Sequence, residues 1–141
     1  MTDHAMNDNE LRFFRFLFLV AALWNLAGGV MGYFNTAHSF ELLYDRELVD
    51  PVFAAIYRGA CGTTLLYFIG YSIVAYDPLR QTGVVIVGGI GKIGFATHLL
   101  GAYLAGHVNA NALVVIVGDF AFFASFLVYL WRVARTKTPL V

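Results

Sequence analysis

Five side chains with charge or strong hydrogen-bonding capacity interrupt stretches that are otherwise apolar: Asn25, Arg58, Lys92, His98 and Asp119. Such groups are costly in hydrocarbon, so each is a candidate ligand-binding or functional residue. Asn25 lies nine residues before Phe34, Arg58 seven after Pro51, His98 seven before Ala105, and Asp119 seven after Ala112. At a helical rise of ~1.5 Å per residue, four stretches therefore carry a polar group about 10 to 14 Å from one edge of the apolar layer, with Lys92 nearer the middle. This common depth predicts one cluster facing the interior of a bundle, in which Asp119 counters Arg58 and Lys92 while Asn25 and His98 bridge them. The cluster has two readings. An Arg58–Asp119 ion pair would fix helix packing, as interhelical polar contacts in membranes do at about 0.6 kcal/mol each. Alternatively, two cations against one anion form a polar pocket open to the outer side, suited to an anionic or carbonyl-bearing ligand such as a lipid head group, a quinone or a small acid. His98 would then be placed to carry a proton.

Four long apolar helices must position these groups. Of 141 residues, 60% are hydrophobic and only 13% charged, and the mean hydropathy of +0.70 lies outside the range of water-soluble chains. A helix needs about 20 apolar residues to cross ~30 Å of hydrocarbon. Runs of that length span about 11–34, 51–76, 83–105 and 112–131, predicting an all-α single transmembrane domain: an antiparallel four-helix bundle. Asp50 is placed to cap the second helix with Pro51 at its first position, and Asn111 to cap the fourth. The 35–50 connection contains His38-Ser39-Phe40-Glu41-Leu42-Leu43-Tyr44-Asp45, whose mixed spacing predicts a short helix on the outer surface. Arg12, Arg15, Arg80, Arg132, Arg135 and Lys137 all fall on one side and Arg46 on the other, so the positive-inside tendency puts both termini in the cytoplasm. The first apolar run is too long for the core of a signal peptide, and Asp3, Asp8 and Glu10 dilute the positive flank such a peptide carries.

Several chemistries fit poorly. Formal net charge is zero and there is no basic block, which argues against nucleic acid as a partner. A single cysteine, Cys61, excludes an internal disulfide and a thiol pair, and reads as a small apolar helix residue. Gly88 to Gly94 includes Gly91-Lys92, but Ile93 follows where a phosphate loop needs Ser or Thr, and no strand precedes it. His38 and Glu41 share a helical face, a weak metal-ligand signal beside the simpler reading of a solvated acidic lid. Ser72, Thr97 and Ser125 have no setting that resembles a catalytic triad. Glycines at 28, 29, 32, 59, 62, 88, 89, 91, 94, 101 and 118 predict close helix approach, and with it homo-oligomerisation or entry into a larger membrane complex.

Arg58, Gly59, Gly62, Gly70, Asp77-Pro78 and the Gly88–Lys92 run together resemble the DoxX-like group of small four-helix bacterial membrane proteins, over about a third of the chain. The resemblance implies a compact antiparallel bundle of the inner membrane and, for some relatives, roles beside quinone-linked or sulfur oxidation. The absence of a cysteine pair departs from any thiol redox role. The expected function is a ligand- or lipid-binding or accessory subunit that uses the intramembrane cluster. Its rivals are a membrane enzyme on a quinone or lipid, with His98 and Asp119 moving protons and Arg58 stabilising an oxyanion, and a small oligomeric transporter. The residues specify no cofactor and leave catalysis open.

Overall fold

A computed structural model describes residues 6–136, so that Asp3 and Lys137, used above for topology, lie outside the described residues. The described chain is helical throughout, in the order α1 (Asp8–Phe34), α2 (Thr36–Tyr44), α3 (Pro51–Tyr76), α4 (Thr82–Leu104) and α5 (Ala112–Arg135). All but α2 are long and apolar enough to cross a membrane.

Helix ends follow their local chemistry. At α1, the Asn7 carboxamide accepts from the Glu10 amide at 2.9 Å while Glu10 accepts from the Asn7 amide at 3.1 Å, a reciprocal cap that starts the helix earlier than its apolar run. Asp50 caps α3 as expected, accepting from the amides of Val52 and Phe53 at 2.7 and 3.1 Å. Beyond the end of α4 the chain turns at Gly106, whose φ of 72° is open to glycine at little cost, with the Gly106 and His107 amides bonded to the carbonyls of Tyr103 and Ala102. Asn111 does not cap α5 through its side chain. That carboxamide instead donates to the Leu42 carbonyl at 3.0 Å, beside Asn109, whose own side chain donates there at 2.8 Å. The α4–α5 connection is thereby tied to the end of α2, and the Ser39–Tyr57 hydrogen bond of 2.9 Å ties α2 to α3.

The long helices associate in two close pairs, α1 with α3 and α4 with α5. Glycine permits the first pairing: a Cβ on Gly29 would stand 2.7 Å from Leu65, and one on Gly32 would collide with the Cys61 sulfur. Bulky side chains join the two pairs. Phe14 and Phe18 of α1 meet Tyr129 edge-on at centroid separations of 5.2 and 5.0 Å, and Phe126 lies 5.1 Å from Phe18 and 5.2 Å from Tyr71 of α3. Each such contact contributes about 0.5–1.5 kcal/mol beyond area burial. A second apolar cluster, Leu99, Val108, Ala112 and Ile116, is covered by Leu43 and Tyr44 of α2. Between the aromatic and aliphatic clusters lies a polar layer.

Candidate functional site

Each polar residue of the layer shares a helical face with buried apolar ones. Asn25 continues the line Phe14, Phe18, Ala21 on α1 and precedes Gly29 and Gly32. Lys92 stands between Val85 and Ala96 on α4, and Asp119 between Ile116 and Phe126 on α5. These spacings are of three, four or seven residues, so all three side chains point at the helix interface.

There they meet. Lys92 Nζ donates to Asp119 Oδ1 at 2.6 Å and to Asn25 Oδ1 at 3.0 Å. Trp24 Nε1 donates to the same Asp119 oxygen at 3.1 Å. The Lys92 ammonium lies 5.0 Å from the centroid of the Phe122 ring and 6.0 Å from that of Tyr71. Asn25, Lys92 and Asp119 are only 5–6% exposed, so the layer is closed around one cation and one anion. Ion pair and hydrogen bonds are mutually satisfying, which is what a buried charge pair needs to offset its desolvation. The Tyr71 hydroxyl is buried and has no hydrogen-bond partner among the described residues.

Arg58 and His98 stand apart from this contact set. Both are exposed, and among the described residues no hydrogen bond or ion pair links either to Asp119. The reason is angular. At ~100° per residue, Arg58 sits about 140° around α3 from buried Tyr71, and His98 about 120° around α4 from Lys92, so equal depth did not imply a shared face. Of the two cations that the sequence set against Asp119, it is Lys92 that reaches it, and the expected Arg58–Asp119 pair does not form among the described residues. Arg58 Nε instead donates to the Thr36 hydroxyl at 3.1 Å, at the start of α2. His38, Glu41 and His107 are exposed, and among the described residues no group of three metal-ligating side chains converges.

Trp24 and Phe122 belong to the layer but not to the sequence-derived set. Trp24 was detectable: a tryptophan in the middle of an apolar run, away from the interface where the ring is usually accommodated, still has an N–H to satisfy. Its fit depends on Gly118, where a Cβ would stand 2.5 Å from the indole. Phe122 carries no signal that sets it apart from the other aromatics of α5.

At the other end of the long helices, Glu10 and Arg132 pair between α1 and α5, and Arg135 stacks 4.1 Å from the centroid of Trp131. An open groove of ≈ 480 Å³ there is lined by Arg15, Ala75, Tyr76 and Asp77. The described arginines of the α1 start, the α3–α4 turn and the α5 end thus share one end of the molecule, opposite α2. No protein-family model, curated protein or solved structure matches the chain.

Proposed function

We propose that this chain is a non-catalytic, multi-pass protein of the bacterial inner membrane that acts as a lipid- or ligand-binding or accessory subunit. Its four long helices form an antiparallel transmembrane bundle, with both termini cytoplasmic and α2 resting on the outer surface. The positive-inside bias of the arginine-bearing end supports that orientation, and the DoxX-like pattern supports the compartment.

One observation carries the functional reading: the Lys92–Asp119–Asn25–Trp24 layer directs its donors and acceptors at one another. A closed, neutral layer favours holding helices together over presenting a reactive group, so binding falls to the bundle's outward faces. The enzyme reading draws on proton exchange between His98 and Asp119, and their separate faces lend it no support. The transporter reading would need a polar path that continues beyond the layer.

Denaturation of purified protein in detergent tests this. Replacing both charges, in Lys92→Met with Asp119→Leu, should cost less than removing either charge alone, about 1–3 kcal/mol, because no lone charge is left and only Trp24 and Asn25 lose partners. Lipid retention should persist in this double variant. If it folds normally but loses a ligand held by the wild type, the layer is a binding site and the holding role is wrong.

A further inference from the structure

Arg58 is built unlike Lys92. It sits on the exposed face of α3, seven residues from the helix start, and has no ion-pair partner among the described residues. Its Nε is fixed by Thr36, whose hydroxyl in turn donates to the Tyr33 carbonyl at 3.1 Å. Thr36 itself is buried, so this anchor is part of the packed structure rather than a surface accident. With Nε occupied, the four N–H groups of the two terminal nitrogens have no acceptor among the described residues. They form a planar fork of the width that a phosphate or carboxylate accepts in two parallel bonds.

Helical side chains lean toward their own N-terminus, and for Arg58 that is the α2 end. A long arginine stem therefore carries the guanidinium from its depth toward the interfacial region, where phosphates of a bilayer lie. The next residue, Gly59, has open space around it, with nothing within 4 Å of a Cβ built there, and exposed Ile56 lies about one turn from it along the helix. This leaves an apolar shelf below the fork. Around the same end stand four exposed carboxylates, Glu41, Asp45, Glu47 and Asp50, with exposed Arg46 among them, so the segment is acidic on balance. Their charge opposes capture of a free anion from water, whereas an anion already held in the membrane by its acyl chains is delivered from the side.

We propose that Arg58, oriented by Thr36, is a receptor for the phosphate of an anionic phospholipid of the outer leaflet, with an acyl chain lying along the shelf at Gly59. This inference rests on the membrane-spanning reading above and gives its binding role a site.

Native mass spectrometry of the protein released from nanodiscs of mixed phosphatidylglycerol and phosphatidylcholine tests it, with Arg58→Gln and Arg58→Lys beside the wild type. Wild type should retain phosphatidylglycerol. Arg58→Gln should lower the retained fraction by roughly tenfold or more, and Arg58→Lys, which keeps the charge and loses the fork, should fall between. Equal retention in Arg58→Gln, with helix content unchanged by circular dichroism, would overturn the proposal. So would equal retention of the two lipids, or displacement of the lipid by millimolar inorganic phosphate, which would make the ligand a free anion. Resistance to alkaline extraction separates the two readings: a chain that stays in the membrane but shows no Arg58-dependent lipid loses only this site, and one that is extracted loses both.

Discussion

Lys92 and Arg58 are both cations set into apolar helices, and the protein treats them oppositely. Lys92 is buried against Asp119 and Asn25, whereas Arg58 is exposed, with a single hydrogen bond among the described residues, to a threonine at a helix junction. The lesson is that a charge inside a membrane helix has two ways to persist. It is neutralised from within, where removing a partner is severe, or it stays exposed on the helix surface, where removing it costs little.

Asp119→Ala should break the comparison most strongly. It leaves the Lys92 ammonium buried without its counter-charge, at about 3–5 kcal/mol, read as a lower denaturant midpoint in detergent. Gly118→Ala comes next: the added methyl displaces Trp24 from Asp119, costing about 1–3 kcal/mol by overpacking, with an altered Trp24 emission in a Trp131→Phe background. Trp24→Phe removes one donor and keeps most of the packing, so a loss of about 0.6–1.7 kcal/mol is expected from equilibrium unfolding. Smallest is Arg58→Gln, which should move stability by no more than about 0.5 kcal/mol. A loss from Arg58→Gln as large as that from Asp119→Ala would erase the distinction between the two cations.

Much of the architecture was readable from apolar run length alone, because each long helix must be apolar over its full extent and the capping residues Asp50 and Pro51 mark their place chemically. The spacing of the polar residues along each helix was readable too, since helical rise is constant, although Lys92, counted as deeper, bonds to both Asn25 and Asp119. Their direction around the helix was not. In a soluble helix the polar face announces the buried one, but α3 is apolar almost all round, with Val52, Phe53, Ile56, Leu66, Ile69 and Ile73 all exposed. Nothing in such a pattern separates Arg58, turned outward, from Asn25, turned inward. The assignment of Asn111 as a cap missed for a related reason: its carboxamide is claimed by Leu42, far away in sequence and visible only once α2 is in place.

The bond between Lys92 and Asp119 also bears on how such a chain is made. The two charges lie on consecutive helices, and each alone would add about 2.5–3.5 kcal/mol to the cost of leaving the translocation machinery for lipid. Entering together as a hairpin, they would form one neutral unit, its charges cancelled by the Lys92–Asp119 bond. Asn25 and Trp24 of α1, which precedes both helices in the chain, complete the hydrogen bonds of that unit.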